Sequence, residues 1–498
     1  MKRHSKQVAF AAVLAASVAA TTAAHAQGAR PIDKISHVVV LFLENRSFDN
    51  LFGTFPGAEG IEQAIAKGQT LQRDASGKPY DKLPPPHKNG PFDVSDNPKE
   101  IRELPFGDRP NAPFAIDKMA PEISTAVNTR DLVHRFYTNR TQINGGKNDL
   151  FAAYSDAGGL AMGYYSRDAM EKSTLWKLAR DNALLDHFFM GAFGGSFLNH
   201  IYLVCACAPV WNGAPEAQRS KLDADGRPVP DPKKPGDFED NRVVAAADGD
   251  YAVNTVQSVF LNNGGQGANL LPAQTIPNIG DRLSAKGVDF AWYSGGFDLA
   301  ARTDRTEEES KYLAGSVRFQ WHHQAFAYWK RFDPTTPGGL AERTKHLKDV
   351  AKLDADIQAG TLPPVTFYKP SGKLNQHPGY AELDKGDGEV ARIADLLAKS
   401  PIKDSYALII TYDENGGFFD HVAPPSGPAA GARADFIGPA TRVPTLVVSP
   451  LVKKGLIDHT EYDTGSILKL ITERFDLEPL PSPRVQAVNS LAKVFDAK

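Results

Sequence analysis

Short, wholly apolar runs that end abruptly in acidic or amide residues are the feature that most restricts the fold of this chain. Val38 to Leu43 runs into Glu44-Asn45, and Ala407 to Thr411 runs through Tyr412 into Asp413-Glu414-Asn415-Gly416-Gly417. Runs this short and this apolar are too brief for buried helices and fit strands covered on both faces, as in parallel sheets. Between them lie helix-period segments. Ile276 to Lys286 stops at Gly287 before the apolar run Val288 to Tyr293, and Val390, Ile393 and Leu397 share one helical face ahead of Pro401. Val365 to Tyr368 and Thr445 to Val448 are further candidate strands, and Asp463 or Thr464 opens a last helix carrying Ile467, Leu470 and Ile471. Such alternation predicts an α/β fold with a mostly parallel central sheet and helices on both faces. Two stretches rich in Pro, Gly and charge, near residues 55–121 and 212–250, are expected to be irregular surface insertions.

The N-terminus combines Lys2, Arg3 and Lys6 with a small-apolar run from Val8 to Ala20 and then Ala24-His25-Ala26. That is the layout of a secretory leader, so residues 1–26 are expected to be removed and residues 27–498 to form a single elaborated domain, periplasmic or secreted. The run falls short of the ~20 apolar residues that span a bilayer, which argues against a stable membrane anchor. Loss of three basic residues takes the formal charge from −3 to −6, the opposite of a nucleic-acid-binding footprint. Cys205 and Cys207, in the apolar stretch IYLVCACAPV, are expected to be small buried thiols, with a bridge between them or a metal pair as weaker readings.

In open α/β sheets ligands bind beyond the carboxyl ends of the strands, which directs attention to the polar residues after the apolar runs. Each carboxylate taken singly has an ordinary explanation as a loop or helix cap. Together Glu44, Asn45, Asp413 and Glu414 offer only oxygen donors, the set of a hard divalent cation such as Ca²⁺, Mg²⁺ or Mn²⁺. In Asp186-His187-Phe-Phe-Met-Gly-Ala-Phe-Gly-Gly-Ser196-Phe-Leu-Asn199-His200, Gly194 and Gly195 allow close backbone approach to a ligand. Ser196 there is either a plain N-cap or a residue at a phosphate-binding helix start. His134, His322, His323 and His377 sit among aromatic and polar residues; packing explains such residues readily, but imidazoles also hold phosphate oxygens and protonate leaving groups. The signatures G-x-S-x-G, H-E-x-x-H, G-x-G-x-x-G and the Walker loop are absent.

The segments ENRSFDNLFG, DLVHRF with INGG, FGGSFLNH, WHHQ, NQHPGY and TYDENGGFFDHVAPP together resemble the bacterial phosphoesterase family of acid phosphatase A and phospholipase C, over Ser36 to about Ile471. The resemblance implies an alkaline-phosphatase-like fold, a serine or threonine nucleophile and one metal ion. By position, Ser196 is similar to the nucleophile, and Glu44, Asn45, Asp413 and Glu414 to metal ligands that Ser196 joins. His134, His322, His323 and His377 match the phosphate-binding set, with Asn199, Asp420 and His421 in supporting places. Serine in Gly-Gly-Ser-Phe-Leu-Asn-His is similar to the acid phosphatase branch, whereas Asp413-Glu414 is closer to the phospholipase form. The expected activity is metal-dependent hydrolysis of phosphate monoesters through a phosphoserine. Phosphatidylcholine cleavage of the phospholipase C type is the alternative, and a non-catalytic metal-binding secreted protein the third reading. The expected partner is thus a small phosphate ester or a phospholipid.

Overall fold

The computed structural model describes residues 30–86, 106–119, 123–234, 236–246, 248–264, 267–315 and 318–497. The leader expected over residues 1–26 lies outside them. Eight strands form the main sheet: β1 (His37–Leu43), β2 (Ala183–Leu185), β3 (Phe290–Ser294), β4 (Leu347–Asp349), β5 (Val365–Lys369), β6 (Tyr406–Tyr412), β7 (Thr445–Val448) and β8 (Leu456–Asp458). Their spatial order is β8-β2-β7-β6-β1-β5-β3-β4. All neighbours are parallel except at β7, which runs against both β6 and β2. Because it reverses twice, β2 and β8 point the same way as β1 and β6. The α/β, mostly parallel sheet read from the sequence is therefore present, with one reversed strand that its short apolar run does not announce.

The strands β2, β3, β5, β6 and β7 are buried along their whole length, as continuous apolar runs require when helices cover both faces. Four helices frame the site: α1 (Ser196–Cys205), α2 (Ile279–Ala285), α3 (Leu383–Lys399) and α4 (Thr464–Arg474). Helix α1 packs on α2 and α4, while α3 packs on the helices Thr174–Asp181 and Leu353–Ala359. The α2 segment starts three residues later than its periodicity suggests, since Pro277 precedes an Asn278 cap that accepts from the Asp281 N–H at 3.2 Å. Asp463 caps α4 through the Gly465 N–H at 2.7 Å.

Two expectations need correction. Cys205 and Cys207 are joined in a disulfide that closes the end of α1 around Ala206, whose φ is +50°. Nor is the 212–250 stretch only surface cover. Asp240, Val243 and Val244 are buried, Val243–Ala246 pairs with Gly249–Ala252, and Lys234, Asp237 and Asp240 line a cavity of about 770 Å³ beside His134 and Gly195. Among the described residues no helix is long and apolar enough to cross a membrane.

Candidate active site

Strands β1 and β6 pair in register to their last residues, Leu43 opposite Tyr412, so the chain delivers Glu44 and Asp413 side by side. The Asp413 N–H donates to the Leu43 carbonyl at 3.0 Å and carries the ladder one step further. Asn45 then turns with φ of +62°, and its N–H donates to Asp413 Oδ1 at 3.1 Å. Gly416, with φ of +60°, lies so close that any side chain there would collide with the Asn45 carbonyl oxygen. The two strand-end loops thus hold each other.

Among the described residues, three buried oxygens in this group, Asn45 Oδ1, Asp413 Oδ2 and Glu414 Oε1, have no hydrogen-bond partner. Burial pushes the Asp413 carboxyl up, against the Lys369 charge that pulls it down; burial likewise pushes Glu414 well up, opposed by His134. Orphaned oxygens in a dry site cost several kcal/mol unless a cation or protons answer them. The residues therefore fit a divalent cation held by oxygen donors. Glu44 is differently placed. It is fully buried, and Lys369 Nζ and Asn375 Nδ2 both lie 2.7 Å from Oε1, with His323 Nδ1 at 3.1 Å. Tyr380 donates to its other oxygen at 3.2 Å.

Ser196 is the first residue of α1, while Gly195 is the N-cap and no side chain caps the helix. The serine hydroxyl is consequently not consumed by capping, and it lies close enough to Asp413 to favour the ionised carboxylate. Asn199 clasps the preceding loop: it accepts from the Ala192 N–H at 2.9 Å and donates to the Ala192 and Gly195 carbonyls at 3.1 and 3.2 Å. Gly194, at φ of +88°, allows that loop to run against the Phe136 backbone.

The four histidines fall into two pairs. His134 and His377 meet edge to face at 5.9 Å over the Asn45 amide, whose Nδ2 donates to His377 Nε2 at 3.1 Å and lies 3.3 Å from His134 Nε2. His323 turns to Glu44 and stacks on His200 at 4.4 Å, and His322 packs against His323 at 4.2 Å. Burial drives His322 down to about 3 and His377 to about 4, with neighbouring positive groups adding to the effect at His322. His134 differs: burial acts downward there too, but Glu414 and Asp131 outweigh it and raise the imidazole to about 9.

Lys369, His200, Asn375 and Tyr380 belong to this constellation, and sequence reasoning did not single them out. Lys369 ends the apolar run of β5, so the strand-end rule that found Glu44 and Asp413 also reaches it. Asp420 and His421 belong to a network with Asp49 and Arg442. Asp420 accepts from Arg442 Nε at 2.8 Å and from the Asp49 N–H at 3.0 Å, and His421 Nδ1 lies 2.8 Å from Asp49 Oδ2.

A fold with its polar residues gathered past the carboxyl ends of parallel strands, around a free serine and an oxygen-rich pocket, is that of an α/β hydrolytic enzyme. The chain belongs to the Phosphoesterase family, whose model matches residues 35–478, and it is a hydrolase acting on phosphoric esters. It is 25% identical to phospholipase C A of Mycobacterium tuberculosis, over 92% of this chain and 76% of that protein. The non-hemolytic phospholipase C of Pseudomonas aeruginosa is 25% identical over 91% of this chain, which spans 56% of that longer relative. Non-specific phospholipase C6 of Arabidopsis thaliana is 32% identical over 25% of this chain and 29% of its own length. Among solved structures, a phosphonate monoester hydrolase from Silicibacter pomeroyi matches with a TM-score of 0.32 and 10% identity, over 65% of this chain and 72% of that one, too distant to bear on the chemistry.

Proposed function

We propose that this chain is an exported, metal-dependent phosphomonoesterase of the acid phosphatase type that works through a phosphoserine on Ser196. The observation that supports this most is the uncapped Ser196 at the start of α1, next to Asp413 and the three orphaned oxygens. Attack of the Ser196 oxygen on phosphorus forms one P–O bond as the ester P–O bond breaks; the serine hydroxyl gives up its proton and the leaving oxygen takes one up. Water then hydrolyses the phosphoserine and frees phosphate. Asn45, Asp413 and Glu414, with Glu44 beside them, would hold a divalent cation, which supplies positive charge that lowers the serine pKa and offsets charge on the transferring group. The N–H groups of the first turn of α1, the turn that begins at Ser196, favour an anion. His134, His377, His322 and His323 would bind the non-bridging oxygens.

Ser196→Ala is expected to cut turnover of p-nitrophenyl phosphate at least about a thousandfold with an unchanged unfolding midpoint. Wild-type-like turnover in the purified variant would overturn the assignment. The names of the curated relatives favour a second reading, a phospholipase C type diesterase, and the cavity beside His134 has room for a head group. Release of phosphocholine from phosphatidylcholine, measured beside p-nitrophenyl phosphate turnover, discriminates between them. A mass spectrum of the exported protein beginning at Gln27 would establish the leader.

A further inference from the structure

A second cluster of metal-ligating side chains shares no residue with the Ser196 pocket. It lies where two strands leave the main sheet together. Asp186 and His187 follow β2, and His459 follows its parallel partner β8. Past this break the same two chain segments pair again, Phe188–Phe189 with Tyr462–Asp463. Asp186 is fully buried, and its carboxylate faces two imidazoles. His187 Nδ1 lies 2.9 Å from Oδ1, and His459 Nδ1 lies 2.9 and 2.8 Å from the two oxygens. The three ligand atoms lie within 4.8 Å of one another.

Two further observations fit a cation at this cluster. First, His187 faces a carboxylate on each side of its ring, with Glu59 Oε2 3.1 Å from Nε2. A neutral imidazole has one proton and can donate to only one of them, so the other is answered by a second proton or by a cation. With a cation on Nδ1, the single proton sits on Nε2 and donates to Glu59, the carboxylate–histidine–metal arrangement that orients metal-bound imidazoles. Second, the fully buried Asp186 carboxylate is aimed at both imidazoles while the Glu59 N–H donates to its Oδ2 at 2.8 Å. Arg442, the nearby cation, reaches the backbone carbonyls of Asp186 and Glu59 at 2.7 and 3.2 Å, and its guanidinium pairs with the Asp49 and Asp420 carboxylates. A cavity of about 490 Å³, lined by Glu59, His421 and His459, opens beside the cluster and provides an entry path.

We propose that Asp186, His187 and His459 form a second metal site, for a divalent transition metal of the zinc class, that clasps the corner where β2 and β8 leave the main sheet. Two imidazoles and one carboxylate are a borderline donor set, unlike the all-oxygen set around Asp413, so the two sites select different ions. His459 is 59% exposed at its side chain, so its removal should leave the fold intact.

Wild type, His459→Ala and Gln63→Ala, a control on the same cavity wall, are equilibrated with Zn²⁺ alone, freed of excess and analysed for bound zinc. Wild type and Gln63→Ala are expected to retain one equivalent more than His459→Ala, and Zn²⁺ to raise the unfolding midpoint of the first two more than that of the third. Turnover of p-nitrophenyl phosphate should be equal in all three, since no catalytic residue is altered. Equal zinc content in wild type and His459→Ala would overturn the proposal.

Discussion

Lys369 shows how one buried side chain shapes the site around it. Its side chain is 2% exposed, and its ammonium lies 2.7 Å from a wholly buried Glu44 carboxylate. Neither charge has water to fall back on, and removing one partner strands the other in a dry environment. Lys369→Met is expected to lower the unfolding free energy of the metal-free protein by about 3–5 kcal/mol in urea titrations. Lys82→Met breaks a pair whose side chains are 61% and 84% exposed, and should cost less than about 1 kcal/mol. A similar loss in both variants would mean that Glu44 does not depend on Lys369. Glu44 itself was legible in the sequence because it follows an apolar run. Lys369 is equally placed after one, but a lysine does not look like a ligand, and its partnership depends on β1 and β5 being neighbours, which no local pattern encodes.

At the scale of elements, the loop after β6 is secured twice. Its near end is held by the Asn45–Gly416 approach, and its far end by the Asp49, Asp420, His421 and Arg442 network, which ties the Phe48–Phe52 helix to the segment entering β7. Burial lowers the His421 imidazole, but the Asp49 carboxylate outweighs it and the net shift is upward from 6.5. The stabilisation from protonated His421 is therefore fully present below about pH 6.5 and is lost as pH rises through the folded-state value. The stability difference between wild type and His421→Gln, from urea midpoints, should be largest near pH 6 and shrink on the alkaline side; a difference independent of pH would remove the charge from the explanation. Most elements here follow from sequence. β1, β5, β6 and β7 lie within a residue or two of their apolar runs, and Asp463 does cap α4. The direction of β7 and the bridging of Cys205 to Cys207 were not legible, because each is decided by which distant or facing partner a short segment meets.

For the whole molecule, the proposed cation pocket joins residues that follow the first strand to residues that follow the sixth, so a cation bound there would couple to folding. A cation bound only by the folded chain at a hundred times its dissociation constant adds about 2.7 kcal/mol. Dialysis against a chelator is expected to lower the unfolding midpoint and abolish phosphate-ester turnover, and Ca²⁺, Mg²⁺ or Mn²⁺ added singly should restore both. Full activity in protein shown by elemental analysis to be metal-free would refute metal dependence.

The placement of β1 also governs when this protein can fold. The earliest strand in the chain occupies the middle of the sheet, between β5 and β6, whose residues come more than three hundred positions later. β2 must likewise wait for β7 and β8. Closing such distant pairs makes formation of the sheet slow and leaves apolar strands uncovered while synthesis continues. A nascent chain ending before Tyr406 lacks one whole side of its central strand. The order of strands thus keeps the polypeptide open until it is nearly complete.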